Sequence, residues 1–167
     1  MTQQLFIRNK LISLKGNIII CDEHDEPRYQ AKGSFAVFYP RWRLFNGEAE
    51  IASLRRKIFV WRPTWQINSE LGDFIIKKKL LSWYSRYKVF GGPFDGAEIK
   101  GNFWDLKFEI SHQSQQLAKA SGKLVSLRNR YAIELLRDDE TTELFTAIVM
   151  VTMLMHRRDR QQHQQGR

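Results

Sequence analysis

The most regular feature of the sequence is a short alternation of apolar and polar residues that recurs about every 22 residues. Each copy has an aromatic residue, one intervening residue and a β-branched residue, and a lysine stands eight positions before the aromatic. In a β-strand, residues two apart share a face, so this pattern predicts strands with one apolar face. The four clearest copies are Trp65-Gln66-Ile67, Tyr87-Lys88-Val89, Phe108-Glu109-Ile110 and Tyr131-Ala132-Ile133, preceded by Lys57, Lys79, Lys100 and Lys123. Weaker copies run from Lys10 to Ile18 and Ile20, and from Lys32 to Trp42 and Leu44.

Turn-forming residues separate these units at the same interval. Gly, Asn and Asp favour tight turns because they tolerate positive φ or bond to the local backbone. A unit of this length has room for two strands and two turns but not for a strand–helix–strand crossover. Six units therefore predict a mainly β fold of about twelve antiparallel strands in up-and-down order. The turn segments are Asp22 to Pro27, Asn46-Gly47, Ser69 to Asp73, Asp95-Gly96, Ser111 to Gln115 and Asp138-Asp139.

The apolar face of these strands is interpreted as core, since the residues between the apolar positions are mostly polar. A ligand cage or a base-stacking platform is the alternative role for the aromatic residues. The repeated lysines are expected to lay their methylenes along apolar surface or to discourage edge pairing.

A single apolar segment near the C-terminus predicts a long buried helix. Residues 144–155 contain only two polar residues, Thr146 and Thr152, and have no polar face. Acidic residues precede the segment and basic residues follow it, as the helix dipole favours. The helix is predicted over about 140–156, with Thr141 or Thr142 as its cap and His156 as a partner of its C-terminal dipole.

The segment is too short to cross a bilayer. Twelve residues of helix rise about 18 Å, against a hydrocarbon core of roughly 30 Å. We therefore expect the helix to pass through a barrel of about twelve strands, with a membrane tail anchor as the alternative. The predicted domain covers residues 1–156, and residues 157–167 are predicted to be a polar, basic, disordered tail.

Length and composition fit one ordered domain. The chain has 167 residues, and 43% of them are hydrophobic, which is enough for a core. The single cysteine, Cys21, cannot form an internal disulfide, and the N-terminal residues lack the apolar run of a secretory signal. The expected location is cytoplasmic, with peripheral attachment to a membrane as a further possibility.

Positive charge is concentrated in one stretch. The net charge is +9, and residues 41–88 hold eleven basic residues against four acidic ones. Such a surplus attracts phosphate, whether in lipid or in nucleic acid; the alternative is a solvated face with no dedicated partner. The candidate residues for binding an anionic ligand are Arg55, Arg56, Lys57, Lys77, Lys78 and Lys79.

The sequence contains no pattern typical of an enzyme. Phe90-Gly91-Gly92-Pro93 is read as a turn and not as a phosphate-binding loop, and no serine has a nucleophile-elbow sequence. The four histidines are isolated, and no Cys/His cluster has metal-site spacing. We therefore predict no catalytic residue, no metal, no cofactor and no small-molecule substrate.

The order and spacing of several short segments resemble the LURP-one-related family of the tubby C-terminal-like superfamily, to which phospholipid scramblases are also similar. The resemblance covers roughly residues 3 to 156. It rests on Lys10-Leu11-Ile12-Ser13-Leu14, Lys32-Gly33-Ser34-Phe35, Asn46-Gly47-Glu48-Ala49-Glu50-Ile51, Arg55-Arg56-Lys57, Arg86-Tyr87-Lys88-Val89, Glu98-Ile99-Lys100-Gly101-Asn102-Phe103, Tyr131-Ala132-Ile133 and the apolar helix.

This resemblance implies a twelve-stranded β-barrel around a central hydrophobic helix. Tubby domains bind phosphoinositides and scramblase-like relatives are associated with membranes, and none of their binding residues is assigned to a position of this chain. The leading hypothesis is a non-catalytic binding or scaffold domain that engages anionic phospholipid head groups at a membrane surface. The alternatives are a nucleic-acid-binding module and a protein-interaction module, both using the same basic face.

Overall fold

The computed structural model describes residues 3–8, 16–34, 41–80, 85–102, 105–125 and 130–165. In these residues twelve strands each pair antiparallel with the next strand along the chain, and β1 also pairs with β12, which closes the barrel. The prediction of about twelve up-and-down strands is confirmed. The strands are β1 (Gln4–Arg8), β2 (Asn17–Cys21), β3 (Pro27–Ser34), β4 (Arg41–Asn46), β5 (Ala49–Lys57), β6 (Thr64–Ser69), β7 (Gly72–Lys78), β8 (Arg86–Phe90), β9 (Glu98–Asn102), β10 (Lys107–His112), β11 (Gln115–Val125) and β12 (Arg130–Leu135).

The repeated apolar pairs face the interior of the barrel, as the alternation predicts. Trp65 and Ile67 on β6 are fully buried, whereas Gln66 between them is exposed. The pairs on β4, β8 and β10 are buried as well, and the residues between them are exposed on β4 and β10 and partly exposed on β8. On β12 Ile133 is buried, but Tyr131 is only partly buried against the core.

The two ends of the barrel differ in their connections. The predicted turn segments all lie at one end, which we call the turn end, and those repeated lysines that the structure describes lie towards the other end, which we call the lysine end. At the turn end, Asn46-Gly47 begins the β4–β5 turn with Gly47 at a φ of 58°, which glycine adopts without steric cost. The Lys10-to-Leu14 segment, Phe35 and Phe103 lie outside the described residues.

The C-terminal helix α1 (Glu140–Gln165) passes through the barrel. Every residue from 142 to 156 is buried, so barrel wall surrounds this part of the helix on all sides. Phe145 stacks on Phe94 with ring centroids 4.1 Å apart, and the ring of His156 meets the edges of Trp65 and Tyr87 at 5.3 and 5.9 Å. In the described part of the chain, no helix is both long and apolar enough to cross a membrane.

Two details of the helix differ from the prediction. The cap is Asp139 and not Thr141 or Thr142: its carboxylate accepts hydrogen bonds from the backbone N–H and the hydroxyl of Thr142, both 2.8 Å. Because Glu140 is the first helical residue, Asp139 occupies the preceding position, where Asp is a preferred cap.

The helix also continues beyond residue 156, through residues 157–165 that were assigned to a disordered tail. This segment has no glycine or proline and is made of Arg, Gln, Asp and His, none of which breaks a helix. His156 therefore lies within the helix between two aromatic rings, and not at a helix C-terminus.

Candidate functional site

Basic side chains occupy the outer surface of β4, β5, β7 and β8, and β6 between them contributes none. On β5, Leu54 points inward and is fully buried, while Arg55 and Lys57 are exposed. Lys57 lies opposite Thr64 of β6, Thr64 opposite Lys77 of β7, and Lys77 opposite Lys88 of β8.

This register places three lysines in one row across the outer wall. Neighbouring strands are about 4.8 Å apart, so the row from Lys57 to Lys88 spans about 14 Å. Arg41 lies directly opposite Arg55 on the adjacent strand. We define the basic face by these residues: Arg41, Arg55, Lys57, Lys77 and Lys88.

The basic face borders a carboxylate at one edge, where Glu98 of β9 lies opposite Lys88 in the register but pairs with Lys79 and Lys100. Among the described residues, no carboxylate oxygen lies within 4.0 Å of these five side chains, whereas Lys119 on β11 pairs with Glu134 at 3.0 Å. Like charges directly opposite each other on adjacent strands are destabilising. An anionic ligand would relieve this repulsion.

Phe90 gives the basic face a partly exposed aromatic ring. The Nζ atoms of Lys77 and Lys88 lie 5.3 and 5.9 Å from its centroid, and 43% of Phe90 is exposed. Cation–π attraction of this kind holds an ammonium group in place without removing its charge.

Three of the six predicted residues do not lie on the basic face. Arg56 and Lys78 fall on the inward-facing positions at the lysine end, opposite Trp65 and Tyr87. Lys79 donates a 2.6 Å hydrogen bond to Glu98. The structure thus brings Arg55, Lys57 and Lys77 together on the outer wall, places Arg56 and Lys78 at inward-facing positions, and pairs Lys79 with Glu98.

Glu98 neutralises lysines beside the basic face. Its second carboxylate oxygen lies 3.3 Å from Nζ of Lys100. The hydrogen bond from Lys79 lowers the pKa of Glu98, and Lys100 adds to this; together they outweigh the opposing effect of burial. Glu98 is therefore ionised at neutral pH and lowers the local surplus of positive charge.

The connection between β5 and β6 exposes apolar side chains that sequence reasoning missed. Phe59 and Trp61 are 96% and 99% exposed, and Val60 between them is 45% exposed. We call residues 58–63 the β5–β6 loop. Phe59 and Trp61 continue the two-residue interval of Arg55 and Lys57, the outward positions of β5, so the alternation itself leaves them on the solvent side; Pro63 is a sequence signal that strand pairing stops here.

The β5–β6 loop lies beside the basic face. It directly follows Lys57, and it contains Arg62, which is exposed. The backbone N–H of Lys78 donates a 2.9 Å hydrogen bond to the carbonyl of Pro63, which holds the loop next to the end of β7. Just past that end, Leu80 is 54% exposed.

A concave region lies on the neighbouring part of the outer wall, between β8 and β1. It is a depression of about 950 Å³ on the outer wall. Its charges are balanced, with four basic and three acidic side chains in its lining, so it has no strong preference for an anion. These are Arg86, Lys100, Lys107 and Lys119, and Asp105, Glu109 and Glu134.

No other chemistry is evident in the part of the chain that the structure describes. Within it, no three His, Cys, Asp or Glu side chains are grouped so that they could hold a metal ion. Asp22 in the acidic β2–β3 turn accepts hydrogen bonds from the backbone N–H groups of His24 and Glu26. This side chain therefore organises its own turn.

Comparison with known proteins shows to which protein family the chain belongs. The fold is a closed antiparallel barrel around a C-terminal helix, and the sequence model of the LURP-one-related family matches residues 3–153. The chain belongs to the LURP-one-related family, as the resemblance indicated. Membership is compatible with a binding domain that is not an enzyme.

A solved structure has the same fold. The crystal structure of a protein from Arabidopsis thaliana matches with a TM-score of 0.59 and 15% sequence identity, over 93% of this chain and 90% of that one. At this identity the likeness shows the fold alone. A search of curated proteins found no match.

Proposed function

We propose that this protein is a non-catalytic binding domain that attaches to anionic phospholipid head groups at a membrane surface through the basic face. The observation that carries the proposal is the convergence of five basic side chains on β4, β5, β7 and β8, none of which forms an ion pair with a carboxylate of a described residue. Head-group phosphates would supply the missing counter-charge.

The expected attraction is sufficient for reversible attachment. Each Lys or Arg near an anionic membrane surface contributes about 1 kcal/mol, so the five residues of the basic face contribute roughly 5 kcal/mol at most. Because the Debye length is about 8 Å at physiological ionic strength, this attraction weakens as salt is added. The binding is therefore expected to depend on salt.

Vesicle flotation tests the proposal. The whole protein is mixed with vesicles of phosphatidylcholine alone, with phosphatidylserine added, or with a phosphoinositide added. The protein should float with both kinds of anionic vesicle at low salt and be released at high salt. Equal, negligible recovery with all three compositions at low salt would remove the proposal.

A second candidate is single-stranded nucleic acid, which the two exposed aromatic residues beside the basic face favour. Such proteins combine a positive surface with aromatic rings on which bases stack. A gel-shift series across salt concentrations separates the candidates, because phosphate neutralisation along a strand gives a steep salt slope. A shift with an oligonucleotide and no flotation would support this alternative.

A further inference from the structure

We infer that the β5–β6 loop inserts Phe59 and Trp61 into the interfacial region of an anionic bilayer while the basic face contacts the head groups. This inference rests on the proposed function and adds a second, apolar component to it. Electrostatic attraction alone would leave these side chains in water.

The exposure of the loop is the first observation. Single exposed apolar residues are common on soluble proteins, but here two aromatic side chains project almost completely, with Val60 between them and Leu80 nearby. Tryptophan and phenylalanine are favoured at membrane interfaces because a large apolar ring is buried there at moderate depth.

The backbone conformation of Phe59 is the second observation. Phe59 has a φ of 63°, a left-handed conformation that is uncommon for a bulky residue. The ring of Phe59 is nevertheless left exposed, so no packing against the barrel compensates for that conformation. Burial of the ring in lipid would supply the missing apolar contact.

Charge complementarity identifies the occupant as an anionic bilayer. Lys57 and Arg62 flank the apolar residues along the chain, and Lys77 lies on the adjoining part of the outer wall. Basic residues on both sides of an apolar tip match the order of a bilayer, with phosphates outside and acyl chains inside. Val60 and Leu80 have no ring for a base to stack on, which favours lipid over nucleic acid.

The experiment combines two variants with a depth-sensitive measurement. Phe59→Ser with Trp61→Ser removes the apolar tip, and Leu136→Ser, which removes an exposed apolar side chain at the turn end, is the matched control. The double variant should melt near the wild-type temperature because its altered side chains are almost completely exposed; Leu136 is 38% exposed, so a thermal melt first establishes that its variant is folded. Partition into vesicles containing phosphatidylserine should fall about tenfold or more in the double variant, because it lacks the apolar side-chain area that lipid would bury. Partition of the control should be unchanged.

Quenching of tryptophan fluorescence by brominated phospholipid locates the loop directly. Wild-type fluorescence should be quenched by vesicles containing phosphatidylserine, and Trp61→Phe, which keeps an apolar ring, should bind but lose most of that quenching.

The outcomes separate this inference from the proposed function. If the wild type binds anionic vesicles but is not quenched, and the double variant binds equally well, insertion is wrong and surface attachment stands. If the wild type binds no anionic vesicle, both are wrong. If Trp61 fluorescence responds to a single-stranded oligonucleotide and not to vesicles, the loop is a nucleic-acid contact and insertion is overturned.

Discussion

The hydroxyl of Tyr29 donates a 2.8 Å hydrogen bond to Oε1 of Glu143, and this contact joins the barrel wall to the first turn of the enclosed helix. The Glu143 side chain is 2% exposed, and a buried carboxylate is tolerated only when hydrogen bonds compensate for lost water. Nε of Arg28 donates to the same oxygen at 2.8 Å, and Nε2 of Gln3 donates to the other at 2.7 Å. Glu143 therefore fixes the helix to β3 and to the residue before β1.

Tyr29→Phe should lower the free energy of unfolding by about 1–2 kcal/mol, because it removes one donor from a buried carboxylate. Burial and the hydrogen bond to Glu143 raise the pKa of Tyr29, so the hydroxyl stays protonated throughout the neutral range. Tyr131→Phe is the control, since Tyr131 is only partly buried, and it should change stability by less than about 0.5 kcal/mol. Equal losses in denaturant titrations of the two variants would show that the network does not anchor the helix.

Asp139→Ala should cost about 1 kcal/mol of stability through loss of the helix cap. The exposed neighbour Asp138 provides the control, and Asp138→Ala should have little effect. Asp139→Asn should retain most of the stability, because the amide oxygen can still accept the backbone N–H of Thr142. A loss in Asp138→Ala as large as that in Asp139→Ala would contradict the assignment of the cap.

The contribution of Asp139 to the stability of the fold should decrease as the pH falls. Burial alone would raise its pKa, but hydrogen bonds from Thr142 and the charge of Arg137 outweigh burial, so the pKa is lowered. A carboxylate with a lowered folded-state pKa stabilises the fold above its unfolded pKa, about 3.9, and loses that contribution as the pH falls through the folded value. The stability difference between wild type and Asp139→Asn should therefore shift towards the variant below about pH 4; a difference that does not change with pH would contradict this.

Met150→Asp should destabilise the protein by at least roughly 3 kcal/mol, because it places a carboxylate in the interior. Met150 is 1% exposed within the enclosed part of the helix. Met150→Leu, which nearly conserves volume, should cost less than about 1.5 kcal/mol. Thermal melts check both, and an unchanged melting temperature for Met150→Asp would place the helix outside the core.

The features that follow from local periodicity could be predicted from the sequence. Alternation around Trp65 and Tyr87 predicts strands with one face turned towards the interior. A helix that is apolar on all sides but too short to cross a bilayer must be buried in protein, and the centre of a wide barrel is where it fits. The tight turns follow from residues such as Gly47. These features depend on neighbours a few positions apart.

Features that depend on register or on the end of an element could not be predicted. The pairing of Lys79 with Glu98 joins residues 19 positions apart and depends on how β7, β8 and β9 align. Alternation places Arg55 and Arg56 on opposite faces of the sheet, but it shows which of them points outward only once the first and last residues of β5 are known. The exposure of Phe59 and Trp61 could be derived only once β5 is known to end at Lys57, since they continue its outward positions beyond the last paired residue.

The most direct test of the central claim is the partition of protein into vesicles as their phosphatidylserine content is raised at constant ionic strength. We compare Lys57→Gln with Lys77→Gln on the basic face against Lys107→Gln with Lys119→Gln on β10 and β11, two double variants with the same net charge. The account predicts that partition rises steeply with phosphatidylserine for the wild type and the second variant, and only weakly for the first. Equal partition of the two variants at every composition, or wild-type binding that does not respond to phosphatidylserine, would contradict it.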